Sequence, residues 1–328
     1  MSRGLGDVYK RQTLRVGGVA EWMLEPRTPE ELREAWIAAH EFVQETATRD
    51  AEPAPVRVLG GGANLVVGDG VLPGVVITTE KVRRIFRPTA PPDESAPEDV
   101  LAGSVEGDPR IAQGRAADDP RLVAWCGATL PALLRTARDL GFAGLEGIVG
   151  VPGHVGGGVA MNAGGRWGEM WDVVETVRVL ELDGTVRDLA RDECSPSYRN
   201  ANLGGRVVLG VVLRFEPEGR PAVEARMRQY LTEKNRVQPV TEWSAGCVFK
   251  NPDPEVAEGR SAGRLVDECG GKGLSRGDAV VSPLHGNFIV NQGEATSVDV
   301  LTLMEDVRDL VAQKTGIWLE FEVKRWVE

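Results

Sequence analysis

Two glycine-rich loops hold the residues of this chain best suited to chemistry. The first, Gly60-Gly61-Gly62-Ala63-Asn64-Leu65, follows the apolar run Val56–Leu59. Three successive glycines leave no Cβ between backbone and ligand, and Asn64 tolerates left-handed dihedrals. Consecutive bare N–H groups in such a turn form an anion-binding concavity suited to a pyrophosphate. The second loop, Gly150-Val151-Pro152-Gly153-His154-Val155-Gly156-Gly157-Gly158, leads to Asn162-Ala163-Gly164-Gly165. Two such loops in one chain imply a dinucleotide held from two sides. The segment from Gly60 is not G-x-G-x-x-G, and Gly271-Lys272-Gly273 lacks the spacing and the Ser/Thr of a P-loop,. A plain Rossmann fold and a P-loop NTPase are both disfavoured.

The bulk numbers bound the partners. With 328 residues, two or three domains and a sizeable core are expected,. Hydrophobic content of 42% and charged content of 27% describe an ordinary soluble protein,. A net charge of −11 argues against nucleic acid and acidic membranes, so an anionic substrate needs a local cluster of Arg and Lys,. Cys126, Cys194, Cys247 and Cys269 share no regular spacing and read as reduced thiols, with neither a disulfide framework nor a metal site expected,. No apolar run approaches the ~18 residues of a membrane span.

The elements that must position the loops are legible in outline. Asp7-Val8-Tyr9-Lys10-Arg11-Gln12 reads as the conceptual translation of a sequencing adapter, so residues 1–12 are expected to be a non-native leader outside the fold. Thr28-Pro29-Glu30-Glu31 is a helix start with N-cap, N1 proline and capping box, and an apolar face runs from Leu32 to Val43,. Val56–Leu59 and Val75–Thr78 read as buried strands flanking the first loop. Residues 87–120 are rich in Pro, Asp, Glu, Gly and Ala; such a segment buries too little to offset its ordering entropy and is expected to be a flexible surface insertion,. A strand at Leu122–Cys126 and a helix from Leu130 to Leu140, closed by Gly141, follow. A meander comes next: Val173–Leu182, a turn at Asp183-Gly184, Thr185–Leu189, then Val207–Phe215,. Pro221 to Lys234 reads as a helix in a basic region. The last third reads as α+β: a short helix from Ala262 to Cys269, a strand at Phe288–Val290, a helix capped by Thr296 or Ser297 and stopped by Gly316, and a strand at Ile317–Val323.

Taken in order, these segments resemble the UDP-N-acetylenolpyruvoylglucosamine reductase family. The resemblance runs from about Thr13 to Val323. It rests on Thr13 to Ala20, Leu59 to Val67, Gly141 to Glu146, Gly150 to Gly165, Tyr198-Arg199, Ala245 to Pro252, Ala262 to Leu265, His285 to Phe288 and Leu319 to Val323. It implies an α+β chain with a two-lobed FAD-binding domain of the vanillyl-alcohol-oxidase type and a C-terminal α+β substrate domain. The expected division is lobe 1 at 13–80, lobe 2 at 81–216 and the substrate domain at 217–328. It also implies a cytoplasmic, monomeric enzyme in which NADPH reduces non-covalent FAD and the hydride passes to an enolpyruvyl ether on UDP-N-acetylglucosamine. The competing readings are a sugar or alcohol oxidase of the same superfamily and a non-catalytic flavin- or nucleotide-binding module.

Adding hydride to C3 of an enolpyruvyl group places negative charge on C2 and the adjoining carboxylate, so the site needs a stabilising cation and a proton donor. By resemblance, Arg199 is the cation, Cys247 the donor and Glu322 the acidic partner. Position 247 is often serine in the family, and a thiol is more acidic than a hydroxyl. Leu319, Phe321 and Val323 alternate with Glu320 and Glu322, which puts both glutamates on one face; only the family motif selects Glu322. The FAD contacts implied are Gly60, Gly61, Gly62, Ala63, Asn64, Leu65, Gly127, Gly150, Pro152, Gly153, Gly156, Gly157, Asn162, Ala163 and Gly164. Ala63 replaces a serine common in this loop. Tyr198 packs on flavin or nicotinamide, or is a core tyrosine. Lys234, Arg236, Lys250 and Asn251 are candidates for the UDP phosphates.

Overall fold

The computed structural model describes residues 6–47, 52–88 and 119–327. The chain forms two compact units. One comprises residues up to Met23, Gly62–Gly74 and Glu233 onward; the other comprises Leu24–Gly61 and Val75–Thr232. These boundaries differ from the expected divisions at 80 and 216, because Thr13 to Met23 and Gly62–Gly74 cluster with the C-terminal third. A linear reading has no means of assigning two short returning segments to a distant core. The inserted segment expected at 87–120 falls largely outside the described residues.

In the unit built on Leu24–Gly61 and Val75–Thr232, the central feature is a five-stranded antiparallel sheet. Its order is Val186–Ala190, Val174–Leu180, Val207–Arg214, Arg121–Trp125, Ile85–Phe86. The run VVLGVVL of the middle strand is buried throughout, as a strand covered on both faces requires,. The Asp183-Gly184 hairpin forms where expected, with Gly184 at φ 84. Pro29–Thr46 is a helix capped by the Thr28 hydroxyl, which accepts the Glu31 N–H at 3.1 Å. Its Arg33 Nε donates to the Gly184 carbonyl at 2.8 Å, seating the helix on the hairpin. Val56–Leu59 pairs in parallel with Val75–Thr78, so the first glycine loop leaves a strand that is fixed along its length. Leu130–Leu140 is a helix closed by Gly141 at φ 72, as the sequence indicated, and the structure adds Thr129 as its N-cap.

In the other unit a four-stranded antiparallel sheet runs Trp243–Cys247, Phe288–Asn291, Ala279–Val281, Ser275–Arg276. Ala262–Glu268 and Ser297–Thr315 are helices whose apolar faces (Leu265, Val266, Val300, Leu303, Met304, Val307, Val311) share one core with Leu14, Val16 and Phe249. Thr296 is the N-cap, in a capping box with Asp299.

Two expectations are corrected here. Residues 6–12 are not outside the fold: Gly6 and Asp7 pair with Ala20 and Val19, Tyr9–Arg11 forms a 3-10 turn, and Val8 is fully buried. A two-residue strand has no periodicity to read, so its pairing was invisible in the sequence. The expected strand Ile317–Val323 is irregular chain with a single bridge, Phe321 to Phe249. The regular strand lies further on, at Lys324–Trp326, and pairs in parallel with Leu65–Val67. The alternation was real but reported the Phe249–Phe321 stack, with ring centroids 5.3 Å apart, and not a ladder.

Candidate active site

The first glycine loop crosses from one unit to the other between Gly61 and Gly62. Among the described residues, the N–H groups of Gly61, Gly62, Ala63 and Asn64 donate to no protein acceptor. Four adjacent free donors are what an anion-binding turn must present. The glycines divide by purpose. A Cβ on Gly61 would lie 2.7 Å from Gly153 Cα, so the two glycine loops touch there and position 61 has no room for a side chain. Gly62 combines φ +57 with a would-be Cβ 2.5 Å from the Arg11 carbonyl. A Cβ on Gly60 or Gly157 would meet nothing within 4 Å. Backbone at those two positions is open to a ligand.

The second loop is anchored from behind. Val155 and Gly156 donate to the Ala128 and Cys126 carbonyls at 2.8 Å each. A Cβ on Gly156 would lie 2.9 Å from the Cys126 Cβ. Gly150 and Gly153 take φ 81 and 111, and Pro152 is exposed between them. His154 Nδ1 sits 3.2 Å from the Thr79 hydroxyl, and burial lowers the imidazole pKa below its ordinary value. Gly127, expected as a cofactor contact, is required by packing: its Cβ would lie 1.7 Å from the Thr79 carbonyl.

Beyond the loop, Asn162 is buried at 2% exposure and adopts φ 42. Its side chain accepts the Trp171 N–H at 3.2 Å and donates to Glu169 Oε2 at 2.7 Å and to the Ser197 carbonyl at 3.2 Å. Ala163 N–H donates to the Gly158 carbonyl at 2.7 Å. The Gly164 carbonyl accepts from Arg199 Nη2 at 3.0 Å. Arg199 lies at the tip of the turn Ser197–Asn200 with φ 56, a left-handed conformation that costs a non-glycine residue about 1 kcal/mol or more,. Its guanidinium lies over the ring of Tyr198, which is exposed and not a core residue.

The remaining candidates belong to the other unit. Cys247 ends its strand opposite Phe288, after a bulge between Ser244 and Cys247. Gly246 provides the bulge with φ 78, a position hostile to any side chain, and this extra residue re-aims the thiol,. The Ala63 carbonyl is 4.0 Å from where a Gly246 Cβ would stand, so the first glycine loop abuts the strand that carries the thiol. Asn64 Nδ2 donates to the Glu322 carbonyl at 3.2 Å, and the Glu322 N–H donates to the Val248 carbonyl at 2.8 Å. Ala63, Asn64, Cys247 and Glu322 are therefore neighbours, and Leu65 is buried below them in its parallel pair with Lys324. Glu322 is half-buried, whereas Glu320 is exposed and pairs with Lys250 at 3.2 Å. The two glutamates do not share an environment, contrary to the strand pattern. Asn251 Oδ1 accepts the Ala262 N–H at 3.1 Å, Lys234 is buried at 7% exposure, and Arg236 is exposed.

Sequence reasoning passed over Asn287, whose buried amide clamps the backbone next to the thiol. It accepts the Phe249 N–H at 2.9 Å and donates to the Phe249 carbonyl at 2.8 Å. The His285-Gly286-Asn287-Phe288 motif contained it, but nothing in the local pattern separates a clamping asparagine from a turn asparagine.

Comparison with known proteins defines the class first. A model described as an FAD binding domain matches residues 112–190, and one described as UDP-N-acetylenolpyruvoylglucosamine reductase, C-terminal domain, matches residues 238–326. The chain is thus an α+β flavoprotein with a two-lobed FAD-binding region of the vanillyl-alcohol-oxidase type and a C-terminal α+β domain. It is 38% identical to the UDP-N-acetylenolpyruvoylglucosamine reductase of Deinococcus radiodurans, covering 96% of this chain and 93% of the relative. It is 36% identical to that of Moorella thermoacetica, covering 97% and 91%. The crystal structure of the UDP-N-acetylenolpyruvylglucosamine reductase from Thermus caldophilus superposes with a TM-score of 0.73 at 36% identity over 100% of both chains. The chain belongs to the UDP-N-acetylenolpyruvoylglucosamine reductase family.

Proposed function

We propose that this protein reduces the enolpyruvyl ether of UDP-N-acetylglucosamine to UDP-N-acetylmuramate, at the expense of NADPH, for peptidoglycan synthesis. The observation that supports this reading best is the contact of the first glycine loop with Gly246 and Glu322. An anion-binding turn that meets the backbone of Glu322 and the residue before Cys247 suits a redox dinucleotide working next to an acid. Bound FAD supplies the hydride relay between NADPH and C3 of the substrate.

The chain's own residues do the rest. The free N–H groups of Gly61 to Asn64 hold the pyrophosphate, and Gly60 and Gly157 leave room for the cofactor. Arg199 offsets the charge that develops on the substrate carboxylate, where a fixed cation stabilises the enolate. Cys247 delivers a proton from Sγ to C2, and Glu322 is the acidic partner that helps polarise the substrate carboxylate or its water. Lys234, Arg236, Lys250 and Asn251 supply the recognition of the UDP phosphates, Lys250 after exchanging its partner Glu320 for phosphate,. The reaction takes place in the cytoplasm, which supplies NADPH, and the enzyme acts as a monomer. No helix among the described residues is long and apolar enough to cross a membrane.

The test is direct. The purified chain should be yellow, NADPH should bleach it without oxygen, and the enolpyruvyl nucleotide should restore the colour. A flavin that only oxygen reoxidises, with a sugar or alcohol as the reductant, would replace this reading with an oxidase.

A further inference from the structure

The turn that carries Arg199 is seated on the segment leaving the second glycine loop at three points. Ala201 N–H donates to the Ala160 carbonyl at 3.2 Å, Asn162 Nδ2 donates to the Ser197 carbonyl at 3.2 Å, and Arg199 Nη2 donates to the Gly164 carbonyl at 3.0 Å. Ser197 is the base of the turn, since its carbonyl also accepts the Asn200 N–H at 3.1 Å. Asn162 is the only one of the three whose polar side chain is buried, at 2% exposure. Both amide hydrogens are used, Nδ2 being shared between Glu169 and Ser197, and Oδ1 accepts the Trp171 N–H. A side chain spent in this way has no remaining donor for a cofactor.

We infer that Asn162 is a positioning residue for Arg199: it clamps the turn so that a strained arginine is held in one place before substrate arrives. The left-handed backbone at Arg199 is the conformation such a clamp must over-determine, because an unrestrained turn would relax it,. Asn162 itself sits at φ 42, which asparagine tolerates and which glycine would also accept,. Glu169 completes the device by fixing the Nδ2 face of the amide. The same carboxylate residue packs against Gly164, where a Cβ would come within 2.5 Å of Glu169 Cα, so the clamp and the Arg199 acceptor form one rigid piece. The inference rests on the proposed role of Arg199 as the substrate-facing cation.

Asn162→Gly keeps the backbone conformation and removes three hydrogen bonds, which separates the clamp from backbone strain. Substrate-driven reoxidation of the reduced flavin should slow by about 10²-fold, the order expected for misplacing a charge-stabilising group. FAD affinity and NADPH-driven reduction should change by less than about threefold, within the spread expected for a site the mutation does not touch. In an Arg199→Ala background the same substitution should add less than about twofold, since the two act through one group. Trypsin cleavage after Arg199 in the FAD-loaded protein should accelerate while cleavage at other arginines does not. Lost FAD with unchanged cleavage at Arg199, or fully additive slowing in the Arg199→Ala background, would overturn the clamp. If Arg199→Ala itself reoxidises at the wild-type rate, the proposed role of Arg199 fails, and the positioning inference falls with it; a normal Asn162→Gly beside a slow Arg199→Ala overturns the positioning inference alone.

Discussion

His154 Nδ1 and the Thr79 hydroxyl stand 3.2 Å apart, tying the second glycine loop to the residue whose N–H donates to the Leu59 carbonyl, just ahead of the first loop. Burial holds the imidazole pKa below its ordinary value of 6.5. The native state therefore refuses a proton that the unfolded chain accepts, so stability is fully present above about pH 6.5 and falls as pH drops toward the lowered native value. His285 shifts in the same direction, from burial first and the Lys272 charge second. Urea denaturation between about pH 5 and about pH 8 should show this slope, and His154→Gln should flatten its share.

Gly60 and Gly61 should respond oppositely to alanine. Gly61→Ala drives a Cβ to 2.7 Å from Gly153 Cα, an overpacking that costs about 1–3 kcal/mol,. Its melting temperature should fall by several degrees even without cofactor. Gly60→Ala meets no protein atom within 4 Å. It should melt normally when stripped of FAD but bind FAD about tenfold more weakly, or about 1.4 kcal/mol. Unchanged FAD affinity in this variant would remove Gly60 from the cradle.

Cys247→Ser should retain turnover within about tenfold, because a hydroxyl in the same re-aimed position still carries a proton. Cys247→Ala should still bleach with NADPH, while reoxidation by substrate slows by about 10²- to 10⁴-fold. Stopped-flow absorbance of the flavin separates the two half-reactions. Wild-type reoxidation in the alanine variant would take the thiol out of the mechanism.

Glu320 and Glu322 should part company. Glu320 is exposed and its ion pair with Lys250 is a surface pair, worth about 0–1 kcal/mol,. Glu320→Gln should leave stability and reoxidation nearly unchanged. Glu322→Gln should slow reoxidation by about 10²-fold with NADPH reduction intact. Equal effects from the two substitutions would count against the assignment of Glu322.

What the sequence determined by itself was everything set by short-range chemistry. Thr28 and Thr296 cap helices because a hydroxyl must satisfy the first N–H groups,. Gly141 and Gly316 end helices at positive φ for the equally local reason that only glycine adopts it without cost,. The ordered motifs, read together, named the family. The tertiary structure decided the pairings between distant segments. It joined Lys324–Trp326 to Leu65–Val67, drew Gly6–Asp7 into a strand pair, and set Glu322 apart from Glu320. It also gave the Asn162 side chain and Gly127 places in the packing of the scaffold. Backbone hydrogen bonds and close packing carry no trace along the chain of which far segment will supply the partner, so those assignments exist only once the core has closed.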